Sequence, residues 1–355
     1  MVSKYTEVDM TQPLVTLGIC TYNRAASLCQ HCLAALEKLT YSNYEIIVID
    51  DCSSDKTQDV LHEYKEKLNR LQFFRNDKNR GLCYSRNRIL EKSQGEIIVF
   101  FDDDVSIFPS CLDEIVKAYL QDSAALFAWG GVYQCHGSHD SNKLTFGSGS
   151  LFSMRRIVAN HFRFDTNIRY FKTYCCEEHE FARRVQRQPG KIIQIPTAKA
   201  NHYQAPAKNR AWRGLGGDLN YLYEKAKHGS ILKYYQSLLI GIQYTIDCII
   251  FKHKVEKDYY QHYYREAVHS FHQVLLLLRD GKFLIASKYL FNIIVDVPIR
   301  ALIKRRIEAK QADKFRQLFA SADNIDLQSE FVQYSNFNTK DSRELLVDIE
   351  RTSIK

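Results

Sequence analysis

Three aspartates in a row, Asp102-Asp103-Asp104, directly follow the apolar run EIIVFF. Alternation along an extended chain sends Asp102 and Asp104 to the same side. Carboxylate oxygens are the preferred ligands of Mg²⁺ and Mn²⁺, ions that often share their coordination with a diphosphate. A metal there would stabilise a departing diphosphate. The alternative is a solvated acidic turn, but three adjacent carboxylates repel one another when no cation is present. Asp50-Asp51 ends a second apolar run, EIIVI. Asp51 there has the chemistry to accept an imide N–H of uracil or thymine, whereas Ser54 or Asp55 serve equally as helix N-caps. Arg24, Arg80 and Arg86 offer forked donors suited to phosphate, and Arg86 is the best placed, following Asn79-Arg80-Gly81. Glu177, Glu178 and Glu180 cluster at a helix start, where carboxylates also favour the helix dipole. One of them can act as a general base toward a hydroxyl. His202, in Ala200-Asn201-His202-Tyr203, is either a structural histidine or a third metal ligand.

The elements that must position these residues follow from hydrophobic period. Leu14–Cys20, Glu45–Ile49, Leu71–Phe74 and Glu96–Phe101 read as buried strands. Helical spacing covers Ala25–Leu39, Lys56–Leu68 and Leu82–Lys92. Strands alternating with helices predict an α/β fold with a mostly parallel sheet flanked by helices. Polar clusters end three of the strands: Thr21-Tyr22-Asn23-Arg24, Asp50-Asp51 and Asp102-Asp103-Asp104. Ligands of open parallel sheets bind beyond those ends, so the clusters should meet in one cleft. From Ala124 to Gln194 the pattern is mixed, with a glycine-rich piece, Gly147-Ser148-Gly149-Ser150, and a helix over 177–187. A helical region follows, rich in Tyr, Leu, Ile and Lys.

The ordered set VTLGICTYNR, EIIVIDDCSSDKT, NRGLCYSRN, GEIIVFFDDD and CCEEHEFARRV resembles the family 2 glycosyltransferases of GT-A (Rossmann-like) fold, over about residues 13 to 205. The resemblance implies an inverting transfer of a sugar from a nucleotide-sugar, a UDP-sugar by default, to an acceptor hydroxyl. Thr21, Tyr22 and Arg24 would line the nucleotide pocket, Asp51 would hold the base, and Arg86 would lie near the donor. Asp102, Asp103 and Asp104 match the DxD motif, with Asp104 the direct ligand of Mn²⁺ or Mg²⁺ and His202 a further ligand. Glu178 would be the catalytic base, with Glu177 its competitor. The family usually has Asp at position 178 and Gly at 176, where this chain has Glu and Cys. The Gln-x-x-Arg-Trp motif of polymer-making relatives is absent, and Ala211-Trp212-Arg213 is a poor substitute. The expected acceptor is therefore a glycan, lipid-linked molecule or polymer that receives one or a few sugars. A sugar nucleotidyltransferase would need a glycine-rich phosphate loop where this chain has Thr21-Tyr22-Asn23-Arg24. A non-catalytic sugar-binding scaffold would be expected to have lost one of the acids.

Composition fits an ordinary globular protein: 355 residues, 45% hydrophobic and 25% charged. The net charge of +8 is mild and does not by itself indicate nucleic acid; residues 251–310 carry 12 Lys/Arg against 6 Asp/Glu. The ten cysteines, several inside apolar runs, read as reduced thiols. The Cys29-x-x-Cys32 pair reads as helix packing rather than a redox motif, and Cys175-Cys176 beside His179 lacks the spacing of a zinc site. No signal peptide or clean membrane span is visible, which predicts a cytoplasmic protein. Basic amphipathic runs such as FLIASKYLFNIIVDVPIRALIKRR suit either the anionic inner face of the plasma membrane or a packed helical cover or homo-oligomer contact. The expected organisation is a catalytic domain over 1–208 (nucleotide half 13–105, acceptor half 106–208), a helical region over 209–330 and a loose tail over 331–355.

Overall fold

The computed structural model describes residues 12–136, 139–173, 175–203, 216–251 and 265–321. The expected boundary at 208, the Ala211-Trp212-Arg213 segment and the expected tail all lie outside the described residues. Contacts hold Met1–Asp313 as one compact unit. Of a second unit, Lys314–Lys355, the structure describes only a helical end that stops at Ser321.

Among the described residues, nine strands form one sheet in the order β3-β2-β1-β4-β8-β6-β9-β5, with β7 on β6. The strands are β1 (Val15–Thr21), β2 (Tyr44–Asp50), β3 (Leu71–Arg75), β4 (Ile97–Phe101), β5 (Val105–Ile107), β6 (Ala125–His136), β7 (His139–Thr145), β8 (Leu151–Arg155) and β9 (Lys191–His202). The first four are parallel. The Val/Ile-rich runs of β1, β2 and β4 are buried on both faces, as a helix-covered parallel sheet requires. β8 runs antiparallel to β4 and β6, while β9 is parallel to β6 and antiparallel to β5.

The helices that alternate with the parallel strands are α1 (Ala25–Ser27), α2 (Ala34–Leu36), α3 (Thr57–Lys67) and α4 (Leu82–Lys92). α1 and α2 are the two ends of the one helix expected over Ala25–Leu39. Between them Leu28–Leu33 winds as a π-helical turn that contains Cys29 and Cys32. A π-turn widens the helix by one residue without changing residue types, so its sequence pattern looks helical throughout. α4 lies close on β1 because Gly18 has no side chain; a Cβ there would come within 2.8 Å of Ile89 and 2.9 Å of Phe100.

The mixed part of the sheet adds α5 (Cys111–Gln121), α6 (Arg156–His161) and α7 (Glu177–Gln186). α5 buries Cys111, Leu112, Ile115, Val116 and Tyr119, one face at helical spacing. The helical region comprises α8 (Gly216–His228), α9 (Ile231–Phe251), α10 (Arg265–Arg279), α11 (Phe283–Phe291) and α12 (Val297–Ser321). Among the described residues no helix is long and apolar enough to cross a membrane. The nine described cysteines are free thiols, and burial pushes the Cys32 thiol well above its usual range.

Candidate active site

Sheet register brings the polar clusters together. Thr21 pairs with Asp50 across β1 and β2, and Gly18 pairs with Phe100 across β1 and β4. The carboxyl ends of all three strands therefore open on one edge. β9 arrives from the other half of the sheet and places His202 opposite Val105 and Gln134.

The centre of the site is acidic. One ligand atom each from Asp102, Asp104 and His202 lie within 4.8 Å of one another. His202 Nε2 stands 3.2 Å from Asp104 Oδ1. Its Nδ1 faces Gln134 Oε1 at 3.0 Å and Ser150 Oγ at 3.2 Å. Burial disfavours a charged ring, but the hydrogen bond and charge of Asp104 outweigh it and raise the His202 pKa. Burial also pushes Asp102 above the usual carboxylate range against the charge of Arg86, and Asp103 up to about 7 against that of Arg24, with Asp104 adding repulsion to both. Arg24 Nη1 bridges Asp103 Oδ1 at 3.0 Å and Asp104 Oδ2 at 3.1 Å. Two carboxylates and an imidazole are a donor set that suits Mn²⁺ or Mg²⁺. Gln134 would then orient His202, its Oε1 accepting from Nδ1–H while Nε2 stays turned to the ion.

Arg86 does not face open space. Its guanidinium lies between the Phe152 and Phe164 rings, at 5.1 and 5.3 Å from their centroids. Nη1 donates to Glu177 Oε1 at 2.9 Å, and Nη2 lies 3.7 Å from Asp102 Oδ1. A side chain expected to meet phosphate is thus committed to two carboxylates, and it ties α7 to the end of β4. Burial, with the charge of Glu178, lifts Glu177 to about 7 despite Arg86.

Glu178 is differently placed. Cys176 caps α7 in the left-handed conformation, φ 61°, which glycine adopts without cost and which explains the usual glycine at this position. The turn aims Glu178 at the glycine-rich segment: a Cβ on Gly149 would sit 3.1 Å from its carboxylate. The next residue, Ser150, touches His202. Gly149 and Ser150 therefore join the Glu178 carboxylate to the metal-type cluster. His179 Nε2 lies 3.9 Å from Glu178 Oε1.

Asp51 accepts from Asn76 Nδ2 at 2.6 Å and from the backbone N–H groups of Arg80 and Gly81, both at 2.7 Å. It fixes the loop that leads into α4, and a carboxylate with about four acceptor sites keeps capacity for one more donor. Arg80 pairs with Asp77 at 2.8 Å, away from the acidic cluster. Thr21 is buried beside Asp103, and Tyr22 is exposed on the rim. The Asn23 side chain accepts from Ser54 N at 2.7 Å and Asn23 N donates to Ser53 Oγ at 2.8 Å, so the loops after β1 and β2 hold each other. Glu180 belongs to a different cluster: it pairs with Arg184 at 2.8 Å, Lys227 at 2.6 Å and His228 at 3.0 Å. Gln134, Ser150, Asn76 and the two phenylalanines around Arg86 escape sequence reading. The glycine-rich tract alone hinted at the importance of 147–150.

The chain was compared with known proteins and structures. The family model described as "Glycosyl transferase family 2" matches residues 16–186. An uncharacterized glycosyltransferase of Haemophilus influenzae is 27% identical over 194 residues, 55% of this chain and 70% of that protein. A protein of Escherichia coli provisionally named as the colanic acid biosynthesis glycosyl transferase WcaA is 31% identical over 157 residues, 42% of this chain and 55% of its own length. This chain thus spans about half of the latter. The crystal structure of GalNAc-T7 with UDP, GalNAc and Mn²⁺ superposes with a TM-score of 0.53 at 16% identity, over 64% of this chain and 51% of that one, a likeness of fold. Strand order, the acidic strand end and the glutamate pair agree with the family match: residues 16–186 of this chain resemble a glycosyl transferase family 2 domain.

Proposed function

We propose that this protein transfers a sugar from a nucleoside-diphosphate sugar, a UDP-sugar foremost, to an acceptor hydroxyl with inversion at the anomeric carbon. The reading is carried by one juxtaposition: the Glu178 carboxylate and the Asp102–Asp104–His202 cluster flank the same two residues, Gly149 and Ser150. Glu178 takes the proton from the acceptor hydroxyl as its oxygen attacks the anomeric carbon. The bond from that carbon to the diphosphate oxygen breaks, and the electron pair leaves with the nucleoside diphosphate. Asp104 and His202, with Asp102 beside them, would hold Mn²⁺ or Mg²⁺, which when bound supplies positive charge to the departing diphosphate. Asp51 and Thr21 fit the nucleoside end, with Tyr22 at the rim. Glu177 holds Arg86, which leaves Glu178 as the base. The relative named for colanic acid synthesis supports a role in making a cell-surface polysaccharide or related glycan.

The test is steady-state transfer and donor hydrolysis with Mn²⁺. Glu178→Gln should lower kcat by about 10²- to 10⁴-fold while donor KM stays within about threefold. A variant that keeps its kcat removes Glu178 from the mechanism.

A further inference from the structure

The helical region presents an apolar surface that the reaction does not use. On α9, Leu232, Tyr235, Leu239 and Ile242 recur at intervals of three and four, which sets them on one face, and all are exposed. Leu232 is 68% and Leu239 66% exposed. The adjoining face, with Tyr234 and Leu238, is buried, so the apolar surface of the helix extends beyond what the fold covers. A second exposed set comes from α11 and the turn after it: Leu284 at 84%, Phe291 at 56% and Ile294. The two sets adjoin, because Tyr235 Oη donates to the Ile294 carbonyl at 3.1 Å and Tyr234 Oη to that of Ile293 at 2.6 Å. Scattered exposed leucines are ordinary, but a contiguous apolar field marks an interaction surface.

Charge identifies the partner. Residues 279–306 contain seven Lys/Arg and two Asp/Glu. Both acids are already paired, Asp296 with Arg300 at 2.8 Å and Asp280 with Arg279 at 3.0 Å. Lys233, Lys282, Lys288 and Arg306 are exposed among or beside the apolar residues. A second copy of this face would oppose positive charge with positive charge. An anionic lipid surface takes both features, the apolar side chains entering the acyl boundary and the cations meeting headgroups. We propose that α9, α11 and the start of α12 form a docking face for an anionic membrane, on which the protein lies without spanning it. α11 also packs against the lead-in to the catalytic helix, with the Tyr289 and Phe171 ring centroids 5.5 Å apart.

The experiment is flotation of the full chain with phosphatidylcholine vesicles and with vesicles containing equal phosphatidylglycerol. The wild type should float with the anionic vesicles, with at least about tenfold less bound to the neutral ones or in high salt. The triple variant Leu239→Glu, Leu284→Glu, Phe291→Glu should lose flotation by a similar factor while keeping its circular dichroism and donor hydrolysis. Binding is read without turnover, so its outcome is separate from that of the proposed reaction. The proposal falls if the wild type fails to float with either vesicle, or if the triple variant floats equally well. It also falls if light scattering shows a wild-type dimer that the triple variant splits into monomers.

Discussion

At the scale of residues, the two adjacent glutamates divide by environment. Glu177 is sealed against Arg86 between two phenylalanines, whereas Glu178 faces the glycine-rich strand entry. Residue types alone leave this choice open, because side-chain direction at a helix start depends on the preceding turn. The left-handed Cys176 supplies that turn. Burial lifts the folded-state pKa of Glu177 from 4.5 to about 7. A raised carboxyl binds more protons folded than unfolded. Its contribution to stability is therefore complete below the unfolded pKa and is lost as pH rises through about 7. Between pH 4.5 and 8 the wild type should lose about 3 kcal/mol of stability relative to Glu177→Gln, read by urea unfolding at a series of pH values. A difference between the two proteins that stays constant with pH would show that Glu177 is ionised in the fold.

At the scale of elements, the first turn of helix α7 is held from two sides. Glu177 is tied to the end of β4 through Arg86, and Glu180 is tied to the helical region through Lys227. Lys227 Nζ lies 2.7 Å from Asp165, 2.6 Å from Glu180 and 2.7 Å from Glu308, and is almost wholly buried. The ammonium thus stands where the three acids would otherwise offer a site to a metal ion. Burial pushes Asp165 upward, but Lys227 and Lys304 outweigh it and hold its pKa down to about 2. Lys227→Met should cost about 3–5 kcal/mol in denaturant unfolding, because three buried carboxylates lose their shared cation. Adding Glu308→Gln should return at least about 1 kcal/mol of that loss. A Lys227→Met variant of unchanged stability would show that the cluster relaxes with water. None of this was legible in the sequence: Asp165, Lys227 and Glu308 are far apart and sit in no motif. The parallel strands were legible, since EIIVI and EIIVFF are continuous apolar runs ended by aspartates. The π-turn at Leu28–Leu33 was not, because it leaves helical residue types unchanged, and nor were the antiparallel pairings of β8 with β4 and β6, whose partners are distant in the chain.

At the scale of the whole molecule, one sheet carries two halves of different origin in the chain, and the site forms where they meet. Asp51 and the Asp102–Asp104 run come from the parallel half, and Gln134, Ser150 and His202 from the mixed half. The first set was readable from strand ends. The sequence left His202 open between a structural role and a third ligand, since nothing in its spacing links it to Asp104, and the family resemblance favoured the ligand. Fold and cleft follow from hydrophobic period and the strand-end rule, whereas the pairing of the two halves is a property of the folded sheet. The central claim is that these halves hold one divalent ion for a nucleoside diphosphate. Mn²⁺ binding followed by electron paramagnetic resonance, with UDP present, tests it most directly. The wild type should bind one Mn²⁺ per chain, and Asp104→Ala and His202→Ala should each weaken binding at least about tenfold with the fold intact. Unchanged Mn²⁺ affinity in both variants would contradict the account.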